Sequence, residues 1–347
     1  MIHQRLLSNS SLFRRLCASL VLLACLFAAT TSAQQTPPDE DVVRVESNLV
    51  RLNIGVADKR GRAVTSLSQS DFVVYEDGVR QNITSFEPSN APFSLVLLLD
   101  LSGSTLSFRA TLKQSALRFV DALAPDDRIA VVTFNNKITT LQDFTTDRRR
   151  IAAAIMSVSN ERGESPVYRA LRYSLQQLSK EGERRKAIVV LTDGVDTEMR
   201  RADGMASGKA QTDEEAIASL KPEESPALRS VLDAADREGV TVYPLALPSG
   251  DPKRLLSVTP QQAAIYAAAR QRIQTLANRT GGRLHEINRL EDMGRLYAEV
   301  AAEMRTLYTL AYQSTKAGTR DGRWRSINVE VTRADLIART RPGYYAR

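Results

Sequence analysis

Two stretches of this chain run through apolar residues without interruption and then stop at an aspartate: SLVLLLD at 94–100 and KAIVVLTDG at 186–194. A strand that is apolar at every position has no solvent face. It needs cover on both sides, which a parallel sheet between two helix layers provides. Three further apolar runs of strand length follow the same rule: Arg128–Phe134, Val240–Ala246 and Arg283–Ile287. Helix-length segments separate them at 105–123, 147–158, 167–180, 227–238, 260–279 and 290–305, and Ile138–Phe144 reads as an extra edge strand. Ser165-Pro166 and Ser225-Pro226 each read as an N-cap followed by proline at the first helical position, and Gly239 as a helix stop. The expected fold class is α/β, a doubly wound, mostly parallel sheet over residues 91–302.

The flanks obey another rhythm. Val50, Leu52, Ile54 and Val56 alternate with Arg51, Asn53 and Gly55, the period of a half-buried strand. Asp77-Gly78 sits between two strand-like runs as a hairpin turn. Tyr308–Tyr312 and Ile327–Val331 alternate again near the end, with Trp324 ahead of the second run. Each flank, 34–90 and 303–347, is too small to bury a core alone. We therefore expect them to pair, 303–347 against 42–90, as one small β-sandwich into which the α/β domain is inserted.

Residues 1–33 read as an address. Three arginines precede the apolar run LCASLVLLACLFAA at 16–29, and Thr31-Ser32-Ala33 places small residues before Gln34. That is the pattern of a secretory signal peptide, so the chain is expected to be exported, periplasmic or extracellular, with no membrane span after cleavage. Leu22-Leu23-Ala24-Cys25 loosely resembles a lipidation box at Cys25, a minor alternative. Without this segment the formal charge falls from +7 to +4, both cysteines are gone, and His285 is the one remaining histidine. Thiol chemistry, disulfides and His-rich or thiolate zinc sites are thereby excluded from the mature chain.

In an open parallel sheet the ligand site lies beyond the carboxyl ends of the strands. There the first long run delivers Asp100, Ser102 and Ser104, and the fourth delivers Thr192-Asp193-Gly194. Two carboxylates at one sheet edge repel unless a cation lies between them. Hard oxygens without imidazole or thiolate select Mg²⁺, Mn²⁺ or Ca²⁺. A phosphate-binding loop is the rival reading, but Asp100 would repel phosphate and neither GxxxxGK[ST] nor GxGxxG occurs.

The pair D-x-S-x-S at 100–104 and T-D-G at 192–194 resembles the metal-ion-dependent adhesion site (MIDAS) of von Willebrand factor type A domains. The flanks VRVESNLVRLNIGVADKRGRAVTSLSQSDFVVYEDG and RTRPGYYA are similar to secreted bacterial VWFA-related domain proteins. The resemblance implies a Rossmann-like fold over 91–302 and metal ligation by Ser102, Ser104 and a hydroxyl that falls at Ser165, where the family has threonine. Asp100 and Asp193 would act largely through water or behind the ligands. Ser165 keeps a second reading as an N-cap. The implied cofactor is Mg²⁺ (or Mn²⁺/Ca²⁺), and the implied partner is a protein ligand presenting Asp or Glu to the cation.

Enzymatic readings are weaker. An aspartyl-phosphate hydrolase resembles D-x-D-x-T, and residue 102 is serine. A serine hydrolase lacks G-x-S-x-G beside His285, and HExxH is absent. The remaining alternatives to a binding module are a structural domain with a vestigial metal site and a Mg-dependent phosphohydrolase using Asp100. Arg148-Arg149-Arg150 and Arg184-Arg185-Lys186 are short and lie near acids, so no nucleic-acid partner is expected. Asp196 reads as a turn residue, and 196–224 as a surface insertion with a short helix at 213–220.

Overall fold

The computed structural model describes residues 49–160, 163–248, 258–316 and 321–347. The signal-peptide reading, Cys25 and the lead-in before Leu49 lie outside the described residues. The first layer begins with β1 (Leu49–Asp58), β2 (Phe72–Glu76), β3 (Val79–Gln81) and β4 (Ile83–Glu87). It resumes after the α/β domain with β11 (Leu307–Gln313), β12 (Trp324–Val331), β13 (Leu336–Arg339) and β14 (Gly343–Tyr345). One sheet has the order β13-β1-β11-β4, the other β14-β12-β2-β3, so both contain strands from both flanks. All pairings within them are antiparallel, with Leu52 opposite Leu310 and Val74 opposite Val329. The alternation puts Leu52, Ile54, Val74, Tyr308, Leu310 and Tyr312 into one core between the sheets.

Between β4 and β11 lies the α/β domain. Its strands are β5 (Phe93–Asp100), β6 (Arg128–Phe134), β7 (Ile138–Thr145), β8 (Arg185–Thr192), β9 (Val240–Ala246) and β10 (His285–Glu286). The sheet order is β10-β9-β8-β5-β6-β7, parallel except for β7 at the edge. Every residue of β5 and β8 is buried, as their unbroken apolar sequence requires. One core, with Leu95, Leu97 and Leu99, faces α1 (Arg109–Ala122), α2 (Arg148–Met156) and α8 (Met293–Met304). The other, with Val96 and Leu98, faces α3 (Val167–Leu178) and α6 (Pro226–Glu238).

Three local expectations change. The strand expected at Arg283–Ile287 is only two residues long, His285–Glu286, and pairs with β9 at the sheet edge. The helix expected from 105 starts as a 3-10 turn over Gly103–Phe108 and becomes α-helical at Arg109. The 196–224 insertion holds α4 (Thr197–Ser207) and α5 (Asp213–Ala218), packed on α7 (Pro260–Thr280). A buried bidentate ion pair, Arg272 of α7 with Asp203 of α4 at 2.6 and 2.7 Å, fastens that packing.

Arg185, at the start of β8, ties the two layers together. Its buried guanidinium donates to the carbonyls of Ser89 and Ala91 on the incoming connection and of Met304 and Leu307 on the outgoing one, at 2.7–3.1 Å. It also lies 3.9 Å over the Phe93 ring.

Candidate functional site

β5 and β8 are hydrogen-bonded neighbours, in register from Phe93 opposite Arg185 to Leu99 opposite Leu191. Their carboxyl ends therefore bring Asp100, Thr192 and Asp193 to one place. The Leu101 amide donates to Phe134 O at 2.8 Å and carries the β5–β6 ladder one residue past Asp100. Ser102 then opens the 3-10 turn. Arg109, just past that 3-10 segment, is buried and donates to Leu101 O, Ser102 O and Thr105 Oγ1, which holds the serine loop from behind.

The five expected site residues form one connected network. Asp100 Oδ1 accepts from the Ser102 amide at 2.8 Å, and Asp100 Oδ2 accepts from Ser165 Oγ at 3.0 Å. Ser104 Oγ donates to Asp193 Oδ2 at 2.8 Å, and Ser102 Oγ and Ser104 Oγ are 3.0 Å apart. A hydroxyl has one proton. Ser104 gives its own to Asp193, so the bond between the two serines is donated by Ser102. Ser104 and Ser165 thus turn their protons toward carboxylates and leave oxygen lone pairs on the other side. Ser104 is exposed, whereas Asp100, Ser102, Ser165 and Asp193 are buried.

Ser165 does not cap α3; Pro166 occupies that position. The Ser165 side chain points at Asp100 because its loop is held at both ends. Glu164 N donates to Asn136 Oδ1 at 2.8 Å, and Ser165 and Thr197 exchange bonds, Ser165 N to Thr197 Oγ1 at 2.9 Å and Thr197 N to Ser165 O at 3.0 Å. Gly163 is required here, since a Cβ would stand 2.8 Å from Asn135 Cβ. Gly194 is required after Asp193 by its φ of +82°.

Two residues carry more than the sequence suggested. Thr192 Oγ1 donates to Asp100 Oδ2 at 2.7 Å and accepts from Gly194 N at 3.0 Å, so it orients the carboxylate. Thr192 stands within T-D-G, but its neighbours in sequence give it no role of its own. Asp196, expected as a turn residue, caps α4 through Oδ1 and accepts from the Tyr168 amide through Oδ2 at 3.3 Å. It joins the insertion to the first turn of α3.

Burial, and then the charge of Asp193, push the Asp100 carboxyl up to about 6. The donors offered are two carboxylates and three serine hydroxyls, a set that fits a small hard cation. Among the described residues no three His, Cys, Asp or Glu side chains gather as a metal cage. His285 sits on the edge strand β10, and burial lowers its pKa. Among the described residues its Nε2 finds no hydrogen-bond partner.

Residues 95–195 match the family model described as von Willebrand factor type A domain. No curated protein matches the chain in sequence. Among solved structures it is similar to an aerotolerance-related membrane protein from Bacteroides fragilis, at 15% identity over 61% of this chain and 98% of that one, TM-score 0.42. It is similar to the vWF domain of the type V pili tip protein Mfa5 from Porphyromonas gingivalis, at 12% identity over 61% and 95%, TM-score 0.45. It is also similar to the pilus adhesin SpaC from Lactobacillus rhamnosus GG, at 12% identity over 79% and 47%, TM-score 0.46.

Proposed function

Residues 95–195 belong to a von Willebrand factor type A domain, and from that premise we propose that this chain is an exported protein-binding module. It recognises an acidic group on a protein partner through a divalent cation held at Ser102, Ser104 and Ser165, with Asp100 and Asp193 behind them. The observation that carries the reading is the convergence of these five side chains, from three separate segments, on one hydrogen-bonded cluster with two buried carboxylates. Close carboxylates raise each other's energy, and a cation at the serine oxygens removes that cost.

When bound, the cation would supply a Lewis-acidic position open to a carboxylate oxygen of the partner. The chain's own residues prepare that position. Ser165 donates to Asp100 and Ser104 to Asp193, so each keeps oxygen lone pairs for the cation. Thr192 fixes the Asp100 carboxylate, and Arg109 fixes the loop that carries the two serines. The strand-end loops and α4 form the rim. A binding role is favoured over phosphohydrolysis because both Asp100 oxygens already accept hydrogen bonds and the carboxylate is fully buried, which leaves it unsuited to nucleophilic attack. The amino-terminal pattern at 1–33 supports export, and no helix among the described residues is long and apolar enough to cross a membrane.

The test is a short glycine-rich peptide carrying one glutamate, titrated against the chain in Mg²⁺ and in EDTA. Binding is expected in Mg²⁺, with at least a tenfold loss in EDTA or in Ser104→Ala. Equal binding in all three cases contradicts the reading.

A further inference from the structure

A second feature of the α/β domain involves none of the five site residues. The sequence of α3, VYRALRYSLQQL, contains two arginines and no acid. The exposed face of α3 borders a shallow groove of about 570 Å³ shared with α6. Arg169 and Arg172 of α3 and Arg237 of α6 line it, over a floor made by Leu175, Ala234 and Ile138. All three arginines are exposed. Arg172 donates to Ser230 Oγ, which brings no negative charge. Among the described residues Arg169 and Arg237 have neither a hydrogen bond nor an ion pair.

This excess charge has a structural origin. The acids of α6 that could neutralise the arginines are engaged elsewhere. Asp233 accepts from Arg347 at 2.7 Å. Asp236 accepts from Arg341 at 2.7 Å and pairs with Arg279 at 3.5 Å. Glu238, the one acid in the groove, is 3.1 Å from Lys186 Nζ. The carboxyl-terminal tail and α7 thus occupy the aspartates, and the groove side of α6 stays basic.

We propose that this groove binds an acidic segment of a partner protein, independently of any metal. Guanidinium groups carried by two helices over an apolar floor suit a chain that alternates carboxylates with apolar side chains. A free phosphate or a uniform polyanion would make no use of the apolar floor.

The probe is a fluorescent ten-residue peptide of alternating Glu and Leu, followed by anisotropy with the full chain in EDTA. EDTA separates this site from the metal reading, so either can fail alone. Binding is expected without metal, with at least a tenfold loss in the exposed double variant Arg169→Glu/Arg237→Glu. It should weaken steeply with salt and be unchanged in Arg149→Glu, a charge control on α2. Three results overturn the proposal: no binding in EDTA, equal loss in the Arg149→Glu control, or displacement by inorganic phosphate or heparin at concentrations where an Ala-Leu peptide of equal length and added Glu have no effect.

Discussion

Asp100 is the residue on which the site turns. In the folded chain its pKa is about 6, above the ordinary aspartate value of 3.8, through burial and the nearby Asp193 charge. A folded-state pKa raised above the unfolded one means that the protonated carboxyl favours the fold. That contribution is full below about pH 4 and is lost as pH rises through 6. The difference amounts to about 3 kcal/mol for a fully buried group. In EDTA, lowering the pH from 7.5 to 5 should therefore raise the stability contributed by this residue. Asp100→Asn should remove that part of the rise, as read by thermal unfolding of both proteins across the range. Parallel pH profiles for the two would show that Asp100 is not the group responsible. The residue types were legible in the sequence as D-x-S-x-S and T-D-G, because the run that precedes each aspartate fixes where it must sit. Thr192 and Asp196 were harder to read. Their roles depend on Asp100 and Tyr168, which lie 92 and 28 positions away in the chain, and local sequence does not specify such pairings.

At the scale of elements, α4 is the piece that sequence reasoning undervalued. Its residues TEMRRADGMAS mix charge, glycine and alanine, so periodicity is weak and the segment reads as loop. What makes it a helix is tertiary. Asp196 caps its first turn, Thr197 is bonded to Ser165, and the buried Asp203 meets Arg272 on α7. Removing one charge of a buried pair costs about 3–5 kcal/mol because the other is left uncompensated. Asp203→Asn should loosen α4 and α5 locally while the sheet persists. Hydrogen exchange is expected to rise across 197–218 and stay unchanged in β5 and β8. Uniform exchange across the chain in the variant would mean that the ion pair supports the whole fold rather than the insertion. By contrast α6 was legible because Ser225-Pro226 and Gly239 bracket it.

At the scale of the molecule, the α/β domain interrupts a β-sandwich whose two sheets each need both flanks. β1 pairs with β11 and β13, and β2 with β12. Neither flank owns a complete core, so residues 34–90 expressed alone should show no cooperative unfolding. A two-state transition in that fragment, seen by circular dichroism, would contradict the interlocked design. The alternation at 50–56 and 308–312 announced these strands, but which strand meets which is fixed by long-range pairing and by the Arg185 clamp. The sandwich anchors the domain at the amino ends of its strands and leaves the opposite edge, with its serines and buried aspartates, facing outward. We expect this edge to bind a divalent cation, which isothermal titration calorimetry of the full chain with Mg²⁺ and Mn²⁺ measures. One site per chain is expected, lost in Asp100→Ala/Ser102→Ala. No heat of binding in the wild type, or the same binding in the variant, would contradict it.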